Sequence, residues 1–139
     1  CALIAQRVKT LKPGVRMAGS AWASTERLIE LGGAAVEGML VEQYFDRFDP
    51  APRFQAFLQA YRKRFKAEPG FGAVLAHDAA SMVIAGLQKT GQAAELKSAI
   101  LGLGKWEGVQ GPVVLDPMGD VSRVVHFGVV KNGAFANAE

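Results

Sequence analysis

The stretch Gly111-Pro-Val-Val-Leu-Asp-Pro-Met-Gly-Asp120 reads as a strand, a tight turn and the approach to a second strand. Pro117 and Gly119 set the bend, and the two Asp side chains can cap its free backbone groups. Upstream, Glu68-Pro-Gly-Phe-Gly-Ala-Val-Leu-Ala-His-Asp-Ala-Ala80 reads as a turn feeding an apolar helix. That helix runs from about Gly72 to Lys89, and its length argues for burial on most sides. Gly91 ends it.

Working outward, Leu3, Ile4, Val8 and Leu11 recur at helical spacing, and Pro13-Gly14 stops that helix. Val15 to Gly19 is then a short strand. A helix followed at once by a short apolar strand is the closing half of a βαβ unit. Ser24 or Thr25 can cap a helix over Glu26 to Leu31, ended by Gly32-Gly33. The next strand spans Val36 to Phe45, with Met39, Leu40 and Val41 as its buried run. Phe48 to Pro52 is loop, and Pro52 suits the first turn of a helix. Phe54, Phe57, Leu58, Tyr61 and Phe65 form one apolar face of that helix. The run Arg62-Lys-Arg64 with Lys66 crowds its end, where positive charge complements the helix dipole. Further on, Ala94 to Leu101 is a short helix and Trp106 to Val109 a loop or turn. Val113 to Leu115 and Val121 to Val130 are strands. Lys131-Asn-Gly133 is a hairpin turn signal before a short returning strand at Ala134-Phe135.

The chain has 139 residues, 50% hydrophobic and 21% charged, enough for a real core. Its net charge of +3 is spread out, without the dense basic stripe interleaved with aromatics that nucleic-acid binding uses, so no nucleic-acid partner is expected. Cys1 is the single cysteine, so no internal disulfide can form. Cys1 could also be a lipidated first residue, although Ala2-Leu-Ile-Ala5 looks like the inside of a helix rather than a polar tether. No apolar run reads as membrane-spanning.

Catalytic chemistry finds no constellation. His77 and Asp78 are adjacent on a helix and point about 100° apart, so they cannot easily share a proton. Ser20 sits in Gly-Ser-Ala-Trp, not in a nucleophile elbow. His126 lies in an apolar strand as a half-buried sheet residue, and two isolated histidines give no metal spacing. Asp116 to Asp120 lacks a calcium-loop pattern and reads as a turn. No phosphate-binding glycine motif occurs, so neither metal nor cofactor is expected. Trp22 stands apart. It directly follows a short strand, and open α/β sheets bind ligands at the carboxyl ends of their strands. It either offers a flat apolar wall there, beside the Ser20 hydroxyl, or plugs the space under a loop.

The order of these segments resembles the branched-chain amino-acid receptor family of ABC importers. The landmarks are Leu3 to Ala5, Gly19-Ser20, Gly33 to Gly38 with Val-Glu-Gly, Phe54 to Phe65, Glu68-Pro69, Asp78-Ala79, Glu107-Gly108, Gly111-Pro112, Asp116 to Asp120, and Lys131 to Gly133. The resemblance implies an α/β, doubly wound, Rossmann-like type I periplasmic-binding architecture, with a cleft between two lobes. It is incomplete here, with residues 1–45 in the C-terminal lobe, 46–126 in the N-terminal lobe, and 127–139 returning to the first. Implied function is capture of a small organic solute in the periplasm by lobe closure, for a membrane permease. The alternative is a ligand-sensing effector domain of a receptor or regulator. Implied ligand-binding positions are Ser20, Ala21, Trp22 and Phe71. The family's amino-acid receptors often carry an acidic residue where this chain has Ala21. The solute is therefore expected to be an apolar or aromatic carboxylate unless another carboxylate substitutes, in which case an amino acid fits. His77 stands where the family's pattern has a tyrosine. The first strands of both sheets would lie upstream, leaving open edges and bare apolar faces, so this piece is expected either to pair with another copy or to be trimmed from a full protein by proteolysis.

Overall fold

In a computed structural model, residues 1–138 are described. In chain order they form α1 (Ala2–Leu11), β1 (Ala18–Gly19), α2 (Glu26–Gly32), β2 (Leu40–Gln43), α3 (Pro52–Phe65), α4 (Phe71–Thr90), α5 (Leu96–Leu101), β3 (Lys105–Gly108), β4 (Gly111–Leu115), β5 (Val121–Ser122), β6 (His126–Lys131) and β7 (Ala134–Asn137). Short 3-10 turns precede α2 at Ala21–Ala23 and follow it at Gly33–Val36. The chain divides into two units, Cys1–Phe48 joined by the segment from Val125 onward, and Asp49–Val124.

The first unit is a sheet in the order β1-β2-β6-β7 with α1 and α2 against it. β1 and β2 are parallel, with Ala18 opposite Leu40 and Gly19 opposite Val41. β6 runs antiparallel to both β2 and β7. In β2, Val41 and Gln43 are buried while Leu40 and Glu42 lie on the other, more open face, as period-two alternation requires. Leu28, Val36, Met39, Val41, Val130 and Phe135 make the core, and Ala2 and Ala5 bring α1 close to it. The larger α1 side chains expected to face inward, Leu3 and Ile4, are 78% and 69% exposed. Periodicity located the helix, but both of its stripes are apolar, and only the alanine stripe is small enough for the close approach.

Two landmarks distant in sequence meet in this unit. The carboxylate of Glu37 accepts the Asn132 N–H at 2.7 Å and the Gly133 N–H at 3.4 Å. Asn132 and Gly133 have φ of 54° and 71°, the left-handed pair that closes a two-residue hairpin with the strands' own twist. Glu37→Ala in the intact protein is expected to cost about 1 kcal/mol, because two turn amides lose a charged acceptor to solvent. A urea midpoint equal to wild type would show that the turn closes without it.

The second unit packs α4 against α5 beside a three-stranded antiparallel meander, β3-β4-β5. Pro52 occupies the first turn of α3, and Gly91 ends α4 with φ 68°. At the end of α3, Arg62 holds Glu68 with a two-point bond of 2.7 and 2.8 Å. That bond keeps the exposed Glu68 carboxyl below its ordinary range. Asp116 uses one carboxylate oxygen to accept the N–H groups of Met118 and Asp120 at 2.8 and 2.9 Å. The loop is thus a capped turn.

Several boundaries differ from expectation. Residues 105–108 are strand, not loop: Trp106 pairs across to Val113, and the chain reverses between Gly108 and Gly111. The expected single strand from Val121 to Val130 is two. β5 pairs with β4 in one unit and β6 with β2 in the other. Alternating apolar residues look alike whichever sheet they join, so sequence period cannot find the break. The strand expected over Val36 to Phe45 is paired only at Leu40–Gln43, and that over Val15 to Gly19 only at Ala18–Gly19. Helix α4 is not buried on most sides. It buries one stripe, Val74, Asp78, Met82 and Gly86, at four-residue steps. By length and composition alone α4 could cross a membrane, contrary to the sequence reading. Asp78, buried at its middle and bonded to Val109, instead ties it into the fold.

Candidate functional site at the carboxyl end of the parallel strands

The parallel pair β1 and β2 ends at Gly19 and Gln43, and the expected site residues of the first unit lie just beyond β1. Ser20 is exposed and its carbonyl accepts the Ala23 N–H at 2.8 Å, starting the 3-10 turn. Trp22, in that turn, is 74% exposed. It is therefore not a plug beneath a loop. It helps to line a shallow pocket of about 170 Å³ with Cys1, Ala2, Thr25, Arg27, Leu28 and Leu31. Ala21 is fully buried, so its methyl offers no surface to a solute. What Ala21 contributes is its amide, which donates to Glu42 Oε2 at 3.4 Å. Phe71 is the first residue of α4, partly buried, and belongs to the second unit.

Arg47 fixes the segment after Trp22. Its guanidinium donates to the Ser24 carbonyl at 3.0 Å and pairs with Glu26, and it lies 4.6 Å from the Phe135 ring centroid and 5.1 Å from that of Phe45. Planar stacking on two aromatic rings suits arginine and leaves the group little freedom. The loop that presents Trp22 is thus anchored to the core rather than hung from it.

Sequence reading passed over Glu42. A signal was there: an acidic residue inside the otherwise apolar run Met39-Leu-Val-Glu-Gln43. Only the register, which sets Val41 opposite Gly19, puts the next residue beside the turn of Ser20 to Trp22. Elsewhere, His77 is exposed and meets the edge of Phe57, with centroids 5.0 Å apart, while Asp78 is buried. The two do not form a dyad. Among the described residues, no three His, Cys, Asp or Glu side chains gather as a metal site.

A parallel strand pair joined through a helical crossover fits a class, the type I periplasmic-binding fold. The chain belongs to the periplasmic binding protein family, whose model it matches over residues 5–134. It is similar to the leucine-binding protein LivK of Thermotoga maritima at 25% identity and a TM-score of 0.88, covering 99% of this chain and 40% of that one. It is also similar to an ABC-transporter substrate-binding protein of Desulfitobacterium hafniense solved with Leu, at 26% identity and a TM-score of 0.82, covering 98% and 39%. An R. palustris solute-binding protein solved with benzoate shares the fold at 19% identity and a TM-score of 0.78, covering 96% and 38%. The chain thus spans about 40% of the length of such structures. No curated protein matches it.

Proposed function

We propose that this chain is part of the solute-binding component of an ABC importer, acting in the periplasm. It captures a small organic solute, an amino acid or an apolar or aromatic carboxylate, by lobe closure and delivers it unchanged to a membrane permease. In this reading the first unit belongs to the C-terminal lobe and the second to the N-terminal lobe. Ser20, Trp22 and Phe71 contact the solute.

The observation that carries the reading is the exposed Trp22 at the carboxyl end of the parallel strands, in a chain of this family. A large apolar ring held in solvent by an anchored loop gains most when a ligand covers it. Covering about 100 Å² of it is worth about 2.5 kcal/mol. Trp22→Ala in the intact protein is therefore expected to weaken binding of its solute about 10- to 100-fold. Calorimetric titration with L-leucine, L-phenylalanine and benzoate checks this. Unchanged affinity for whichever compound binds would remove Trp22 from the site.

A further inference from the structure

We propose that the carboxyl end of α3 is a membrane-docking surface, which holds the protein against a bilayer of anionic phospholipid through Lys63, Arg64, Lys66 and Phe65. The inference concerns a surface apart from the candidate solute site and does not depend on what that site binds.

Charge at this helix end is one-sided. Five basic residues and no acidic one stand between Asp49 and Glu68. Arg62 is taken up by Glu68, through bonds of 2.7 and 2.8 Å. Lys63, Arg64 and Lys66 have no acidic partner among the described residues. A helix carboxyl end carries only about half a negative charge. Three unpaired cations exceed what it can neutralise, so the dipole alone does not account for them. Their mutual repulsion is relieved by an extended anionic surface. Residues 62–68 are all exposed, and successive side chains on a helix point about 100° apart, so the run meets solvent around the whole helix end.

Phe65 selects lipid over a purely ionic partner. It is 60% exposed in the midst of these cations. Its ring lies 4.5 Å from that of Tyr61, which lies 5.9 Å from that of Phe57, centroid to centroid. The Arg64 guanidinium is 5.9 Å from the Phe65 centroid. An aromatic ring flanked by basic side chains fits the boundary between headgroups and acyl chains. The ring enters the apolar layer while the cations stay among the phosphates. An acidic protein surface would answer the charges and not the ring. The tip is also fixed in advance: Lys66, at φ 55°, donates its N–H to the Arg62 carbonyl at 3.0 Å, and Arg62 holds Glu68 beyond it.

Vesicle sedimentation of the intact protein tests this. At low salt, wild type is expected to bind vesicles of mixed phosphatidylglycerol and phosphatidylcholine at least about 10-fold more tightly than vesicles of phosphatidylcholine alone, and added salt should weaken that binding. Changing Lys63, Arg64 and Lys66 together to Gln should lower affinity about 100-fold, at about five-fold per charge. Changing Arg7, Lys12 and Arg16 together to Gln removes the same net charge from exposed positions of the first unit and should leave binding close to that of wild type. Phe65→Ser keeps every charge and should bind about 10-fold more weakly, the effect of burying part of one phenyl ring. Should a variant fail to fold, the wild-type comparison of the two vesicles still decides. Equal binding to both vesicles overturns the proposal, as does an equal loss in the two triple variants. Phe65→Ser that binds as tightly as wild type overturns insertion at the lipid boundary. Wild type that ignores the vesicles and binds poly-L-glutamate assigns the charges to an acidic protein partner and overturns the lipid.

Discussion

Asp78→Ala is expected to lower the stability of the intact protein by about 3 kcal/mol. The Asp78 side chain is 5% exposed and pairs with Arg123, itself 19% exposed, at 3.6 Å. Its Oδ1 accepts the Val109 N–H at 2.9 Å, in a buried bond that spans 31 residues. Removing the carboxylate leaves a buried amide unpaired and an enclosed guanidinium without its counter-charge, and each loss costs energy. The bond also joins α4 to the turn between β3 and β4, so helix and meander loosen together. Gly108 belongs to the same contact: a Cβ there would lie 2.7 Å from Asp78 Oδ2. Asp78→Asn keeps an oxygen for Val109 and loses only the charge, so it should fall between wild type and Asp78→Ala. Urea denaturation reads the order. An Asp78→Ala midpoint within 0.5 kcal/mol of wild type, a threshold at the scale of ordinary surface substitutions, would show that the helix holds without this bond.

Gly128→Ala is expected to cost about 2 to 3 kcal/mol, through overpacking of the first unit. Gly128 lies in the middle of β6, opposite Val41 on one side and Asn137 on the other. A Cβ at this position would overlap Gln43 Nε2, lie 2.9 Å from Gln43 Cδ, and stand 3.2 Å from the Ala136 carbonyl oxygen. Gln43 is 2% exposed and cannot swing into solvent. Among the described residues its Nε2 has no hydrogen-bond partner, so packing holds that end of the side chain. Shortening it should relieve the clash. Gln43→Ala combined with Gly128→Ala is therefore expected to be more stable than the sum of the two single changes predicts, by about 1 kcal/mol or more. Strict additivity would mean that the two side chains do not share this space. Thermal midpoints of the four proteins give the answer.

These contacts explain why scattered short motifs could identify the family when none did so alone. Val36-Glu-Gly38 and Lys131-Asn-Gly133 are two halves of one interaction, Glu37 on the hairpin amides. Asp78-Ala79 and Glu107-Gly108 likewise meet: Asp78 accepts the N–H of Val109, the residue after Gly108, and lies where a Cβ of Gly108 would be. Each motif is short because one side chain and one backbone turn suffice to make it. The pairs lie far apart in sequence because they close long loops of chain.

The candidate site was legible in part. Trp22 drew notice because a large aromatic directly after a short strand is a local pattern, and its exposure sets aside the plug. Ala21 drew notice for lacking a charge. Its burial, and the carboxylate that reaches it from β2, depend on strand pairing. The register between β1 and β2 is a relation between residues about 22 apart, and no periodicity within either strand encodes it.

The sequence by itself determined the helices, the capped turns and the family, because helical spacing, proline and glycine punctuation, and turn residues act over a few neighbouring positions. Tertiary structure alone decided which stripe of α1 and α4 is buried, where the run from Val121 to Val130 leaves one sheet for the other, and that Glu42 meets Ala21. Those outcomes depend on which surfaces face each other across the chain, and a side chain's pattern of neighbours in sequence is the same whichever partner it finds.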